Sequence, residues 1–110
     1  MKNIVGLADK SVKKKLSELQ NSTSEDQYRL TTINNAIDRL EDNVFCGIQI
    51  QKNIIPHEYK KKYQIDNLWK YDLPGGWRLL YFVIEDGENT VAVIIDWMSH
   101  KEYERLFNYG

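Results

Sequence analysis

Apolar residues recur every three or four positions up to about residue 42 and every second position after Asp66. A period of 3.6 marks a helix buried on one side, and a period of two marks a strand. A chain that changes period once must pack helices against a sheet formed largely by its second half. In the first half, Asp9 or Ser11 can cap a helix that carries Val12, Leu16 and Leu19 on one face. Ser24 and Gln27 then have capping-box spacing ahead of a stripe of Leu30, Ile33, Ile37 and Leu40. Helices are predicted near 10–21 and 25–42, joined through the polar turn Asn21-Ser22-Thr23-Ser24 as an αα-hairpin, with Lys2 to Leu7 as a strand before them.

In the second half, Leu68 to Leu73, Trp77 to Ile84 and Val91 to Trp97 are rich in aromatic and β-branched residues. Pro74-Gly75-Gly76 and Asp86-Gly87-Glu88-Asn89 separate them, which predicts two consecutive antiparallel hairpins. His100 to Tyr109, with Tyr103 and Phe107 four apart, predicts a short terminal helix. Val44 to Asp66 has poor periodicity, contains Pro56 and three consecutive lysines, and reads as an excursion over the surface. At 110 residues the chain suits one domain spanning 1–110. The expected fold is α+β, with the N-terminal strand and αα-hairpin packed on an antiparallel sheet and a short C-terminal helix.

Several classes are excluded at this point. An apolar share of 42%, with three Trp, seven Tyr and three Phe, supports a packed core rather than disorder. No stretch approaches the roughly 20 apolar residues of a membrane span, and the N-terminus lacks a secretory pattern, which predicts a soluble, cytoplasmic protein without membrane partners. Cys46 is alone, and with His57 and His100 it matches no metal-ligand spacing, so neither a disulfide nor a metal or other cofactor is expected.

The net charge of −1 hides a segregation. Lys52, Lys60, Lys61, Lys62, Lys70 and Arg78 make the middle third basic, while acidic residues dominate after residue 81 except at Lys101 and Arg105. Such a patch can hold a phosphate backbone through charge, or simply form a solvated face. Register adds to this. With Pro74-Gly75-Gly76 as a three-residue loop, Leu73 faces Trp77, Asp72 faces Arg78, Tyr71 faces Leu79 and Lys70 faces Leu80. Lys70, Asp72 and Arg78 then share one face, while Trp69, Tyr71, Leu73, Trp77, Leu79 and Tyr81 form the aromatic face that meets the αα-hairpin. An even-length loop in the next hairpin puts Trp97 opposite Arg78 and brings Ser99-His100-Lys101 to the same end of the sheet.

Each of these residues has a second, plainer reading. Arg78 can form a cross-strand salt bridge with Asp72 or present a fixed guanidinium to a phosphate. His100 can be a surface residue or an acid–base group, Lys70 can snorkel to solvent, and Tyr103 can dock the terminal helix. Ser99 beside His100 makes no triad, because no orienting acid accompanies them. Gly75-Gly76 follows no phosphate-loop pattern.

The run Asn67-Leu68-Trp69-Lys70-Tyr71-Asp72-Leu73-Pro74-Gly75-Gly76-Trp77-Arg78-Leu79-Leu80-Tyr81, followed by Val91 to Trp97 and His100-Lys101-Glu102-Tyr103, resembles the RelE/ParE superfamily of toxin–antitoxin toxins. The order strand, two helices, three antiparallel strands is similar as well, so the resemblance spans nearly the whole chain. In ribonucleolytic members the toxin enters the ribosomal A site and cuts mRNA without metal, by attack of a ribose 2′-hydroxyl on the adjacent phosphate. The resemblance implies that Arg78 stabilises the phosphorane, that Lys70 lies near the substrate, that His100 serves as acid or base, and that Tyr103 plays a secondary role. Lys52, Lys60, Lys61, Lys62, Lys101 and Arg105 would bind RNA, and the implied partners are an antitoxin protein and the ribosome with its mRNA. Asp72 departs from the pattern, standing where some members carry a second strand lysine. The ParE branch of the same fold poisons DNA gyrase instead, and a non-catalytic relative would only bind an antitoxin.

Overall fold

A computed structural model describes residues 2–108. Strands β1 (Lys2–Leu7), β2 (Ile48–Gln49), β3 (Trp69–Asp72), β4 (Arg78–Asp86) and β5 (Asn89–Met98) form one sheet in the order β1-β5-β4-β3-β2. The β3–β4 and β4–β5 hairpins are antiparallel, as the two-residue period requires, and β2 extends them antiparallel to β3. The N-terminal strand closes the opposite edge parallel to β5, so the sheet is mixed. Helices α1 (Lys10–Glu18) and α2 (Ser24–Asp42) cover one face, and α3 (His57–Tyr63) and α4 (His100–Asn108) contribute to the other. Tyr109, the last residue of the expected terminal helix, lies outside the described residues. None of the described helices is long and apolar enough to cross a membrane.

The caps follow local chemistry. Asp9 accepts a hydrogen bond from the Val12 amide at 3.0 Å and so starts α1. At α2 the cap is Thr23 rather than the expected Ser24, with Oγ1 accepting from the Asp26 amide at 3.2 Å. Helix α1 ends at Glu18 and tightens into a 3₁₀ turn over Leu19–Asn21. On this side Val12, Ile33, Ala36 and Leu40 pack on Leu73, Leu79, Tyr81 and Ile94, which is the aromatic-face packing expected from the register.

The segment 44–66 differs from the expected surface excursion. Ile50 and Ile55 are buried and join Leu68, Leu80, Ile95 and Met98 in a second core, against which Tyr59, Tyr63, Tyr103, Leu106 and Phe107 pack. The sequence hides this core because Ile50 and Ile55, the buried residues that the segment contributes, sit in irregular backbone, and α3 shows its apolar face only as the pair Tyr59 and Tyr63. The segment is fastened by side chains from other elements. The Tyr81 hydroxyl donates to the Val44 carbonyl at 2.8 Å and accepts from the Gly47 amide at 3.1 Å. A Cβ at Gly47 would lie 2.5 Å from that hydroxyl and 2.6 Å from the Lys70 carbonyl oxygen, so only glycine fits. The Tyr63 hydroxyl donates to Asp9 at 3.1 Å, tying α3 to the start of α1.

The β3–β4 register is the predicted one, with Asp72 paired to Arg78 and Lys70 to Leu80. The β4–β5 register is shifted by one residue at its far end. Pairing runs Asp86 to Asn89 through Tyr81 to Ile94, then resumes at Leu80 with Asp96. Ile95 is the extra residue of a β-bulge, and Arg78 therefore faces Met98 rather than Trp97.

Candidate functional site

Alternation along β3 and β4 puts Lys70, Asp72 and Arg78 on the face that α4 crosses. Arg78 is 17% exposed at its side chain and Lys70 20%, while Asp72 is 51% exposed. The Arg78 guanidinium donates from Nη1 to the carbonyls of Gly76, at 2.6 Å, and Trp77, at 3.3 Å. Its Nε lies 3.0 Å from Asp72 Oδ1. The N–H is not directed at that oxygen, so the pair is a charge contact without a hydrogen bond. Lys70 Nζ donates to the same oxygen at 3.0 Å. Two cations thus share one carboxylate atom.

Tyr103 on α4 covers them, its ring centroid 5.5 Å from Arg78 Cζ and 5.9 Å from Lys70 Nζ, within cation–π range. Burial, with a smaller contribution from Asp72, raises the pKa of the Tyr103 hydroxyl, and Arg78 only partly opposes the shift. Tyr103 therefore keeps its proton near neutrality and meets the cations with its ring, not as a base.

Helix α4 is started by a reciprocal capping box. The Ser99 amide and hydroxyl donate to Glu102 Oε1 at 3.1 and 3.0 Å, and the Glu102 amide donates back to Ser99 Oγ at 3.3 Å. These bonds hold the Glu102 carboxyl below its usual pKa and give Ser99 a structural role. His100 follows at the same end of the sheet as Arg78. A Cβ on Gly76 would lie 3.3 Å from the His100 Cβ, and the Gly76 φ of 82° also favours glycine. The imidazole is 57% exposed and its Nε2 pairs with Glu104 one turn along α4. His100 is thus beside the carbonyl that holds Arg78, with its ring turned to its own helix.

The remaining predicted cations are scattered. Lys52, Lys60, Lys61, Lys62, Lys101 and Arg105 are exposed, and among the described residues no ion pair or hydrogen bond connects any of them to Arg78 or Lys70. Lys62 lies 3.3 Å from Asp9 and belongs to the α1–α3 junction. Arg105 borders a cleft of about 400 Å³ with Lys15, Glu58 and Asp96. Asp72 borders another of about 610 Å³ beneath α2. Lys70 and Arg78, on strands β3 and β4, form one constellation with Tyr103 on α4. Among the described residues no group of three or more His, Cys, Asp or Glu side chains is arranged to hold a metal ion.

Sequence reasoning missed Arg29. It is 8% exposed, and its Cζ lies 3.7 Å from the centroid of the Trp77 ring. The available signal was its place in the series 29, 33, 36, 40, the buried stripe of α2, of which three members are apolar. Lys15 was missed too: it hydrogen-bonds Asp96 and the Trp97 carbonyl, at 2.5 and 2.8 Å, across the α1–β5 junction.

Chemically, the Lys70–Arg78 pair offers charge-assisted donors to an anion able to compete with one partly exposed carboxylate. No protein-family model matches the chain, and no curated protein or solved structure matches it either.

Proposed function

We propose that the protein is the toxin of a type II toxin–antitoxin system, of the RelE/ParE kind, and that it is a metal-independent, ribosome-dependent endoribonuclease that cuts mRNA in the cytoplasm. The observation that carries this reading is the pair of largely buried cations, Arg78 and Lys70, fixed side by side under Tyr103 with a single shared counter-ion. A phosphodiester replacing Asp72 there would find donors already oriented by the Gly76 and Trp77 carbonyls and by the strand backbone. In the step so supported, the ribose 2′-oxygen bonds to phosphorus while the bond to the 5′-oxygen breaks. Arg78 stabilises the charge that develops on the phosphorane, and Lys70 holds the substrate phosphate. His100 exchanges the proton after its imidazole leaves Glu104, and Tyr103 stacks over the cations. The exposed Lys52, Lys60, Lys61, Lys62, Lys101 and Arg105 supply long-range attraction for RNA and ribosome.

A second reading draws on the same geometry. Arg78 already has two carbonyls and a carboxylate, as a purely structural arginine would, and this favours a binding protein: a ParE-like inhibitor of gyrase or a non-catalytic antitoxin-binding relative. Induced expression separates the two. The nuclease reading expects growth arrest with truncated mRNA, relieved by Arg78→Ala. Arrest with intact mRNA and inhibited supercoiling would move the assignment to the gyrase branch.

A further inference from the structure

Opposite the Arg78 face, between the α1–α2 turn and the start of α4, lies a cleft of about 340 Å³. Trp77 and Arg29 form part of its wall, with the guanidinium stacked on the indole. Arg29 is more than nine-tenths buried, and its Nη1, covered from solvent, has no hydrogen-bond acceptor among the described residues. A buried donor without an acceptor is a cost that a folded chain rarely leaves standing. Arg29 holds it in a position of the α2 stripe that an apolar residue would fill without cost.

The charge around the cleft is unbalanced in the other direction. Four carboxylates, from Glu18, Glu25, Asp26 and Glu102, face the cations Lys15 and Arg29. Lys15 is already paired with Asp96, and Glu102 is held by Ser99. The carboxylates of Glu18, Glu25 and Asp26 have no ion pair or hydrogen bond among the described residues. A phosphate or nucleic acid would be repelled here. An occupant that satisfies the site carries a cation for the free carboxylates, an apolar stem for the Trp77 ring, and a carbonyl oxygen for Arg29 Nη1. A lysine or arginine in a peptide has all three.

We propose that this cleft is a docking site for a basic segment of a partner polypeptide, with one Lys or Arg side chain inserted along Trp77 and its own peptide carbonyl accepting from Arg29 Nη1 as the guanidinium turns from its covered position toward the cleft. The side chains that line the site are not those of the Arg78 cluster, which meets it only at the Trp77 backbone carbonyl, so the proposal is tested separately from the nuclease reading.

The test is titration of the full chain with an acetylated, amidated Ala-Lys-Leu-Arg-Ala peptide, followed through the indole N–H signals of Trp77 and Trp97. Its counterpart with glutamates in place of the basic residues, and inorganic phosphate, are titrated in parallel. Saturable binding of the basic peptide alone is expected. Affinity should fall about fivefold in the double variant Glu25→Gln, Asp26→Asn, as expected for the loss of one or two partly exposed ion pairs. It should also fall in Arg29→Gln and stay unchanged in Glu85→Gln, whose exposed carboxylate lies on the distal end of β4. The carboxylates of Glu25 and Asp26 hold no other part of the fold among the described residues, so the carboxylate variants fold even if Arg29→Gln does not. Absence of saturable shifts, equal affinity in the carboxylate variants, or preference for phosphate or the acidic peptide would overturn the proposal.

Discussion

Replacing Asp72 by Asn should move stability and anion affinity in opposite directions. The carboxylate contacts Arg78 and Lys70 at 3.0 Å each but is about half exposed, so each pair is worth about 0.2–1 kcal/mol. Losing both should lower the melting temperature by about 2–8 °C in a domain of this size. An RNA phosphate seated on the same two cations would lie about 5 Å from the Asp72 carboxylate. At an effective dielectric constant of about 40–80, one unit charge there repels the phosphate by about 0.8–1.7 kcal/mol, or four- to fifteenfold in affinity. Asp72→Asn should therefore bind a labelled single-stranded oligoribonucleotide about four- to fifteenfold more tightly by fluorescence anisotropy at fixed low salt. Asp86→Asn, an exposed acid at the far end of β4, controls for net charge and should change affinity by less than about twofold. A lower melting temperature with unchanged or weaker RNA binding would show that no phosphate competes with Asp72 for these cations and leave it as an ordinary strand-to-strand counter-ion.

Asp9→Ala removes the α1 cap and should cost about 0.5–2 kcal/mol near neutral pH in chemical denaturation. The Val12 amide and the Ser11 hydroxyl, with Lys62 and Tyr63, hold the Asp9 carboxyl far below the ordinary carboxylate range. The contribution is thus present above the unfolded-state value of about 4 and is lost as pH falls further toward the folded value, so wild type and variant should converge in acid. A stability gap independent of pH would contradict that. Tyr81→Phe leaves the Val44 carbonyl and Gly47 amide without their partner and should cost about 1–3 kcal/mol, with faster hydrogen exchange at Gly47. Gly76→Ala forces a side chain into left-handed backbone at a cost of about 1–2 kcal/mol and presses on His100, so its imidazole NMR signals should shift along with the fall in melting temperature.

The parts of this fold that follow from period and turn chemistry were legible in the sequence. The loop at Pro74-Gly75-Gly76 dictates the β3–β4 pairing, and that pairing alone brings Lys70, Asp72 and Arg78 together. What escaped depends on contacts distant in sequence. The bulge at Ile95 has no turn residue to announce it, yet it replaces Trp97 with Met98 opposite Arg78. Ile50 and Ile55 are buried by α3 and α4 rather than by any periodicity of their own. Arg29 is hidden for a different reason. Its burial is legible from helical spacing, but a charged residue in an apolar stripe is read as solvent-facing until Trp77 is seen to cover it. His100 was expected among the cations, but its i,i+4 pairing with Glu104 draws the ring aside, an arrangement available to any His and Glu one turn apart.

Whether Arg78 meets a phosphate during strand scission is read most directly from cleavage on translating ribosomes. Purified wild type, Arg78→Ala and Arg78→Lys are added to a reconstituted translation reaction, and new mRNA ends are mapped by primer extension. Discrete cuts within A-site codons are expected with wild type, at a rate about 10²–10³ lower for Arg78→Ala, the loss typical of one charge-stabilising donor. Arg78→Lys should retain a partial rate, since it keeps the charge but loses the fixed guanidinium geometry. Intact message in the presence of folded wild-type protein, or cutting by Arg78→Ala at the wild-type rate, would contradict a phosphate contact at Arg78.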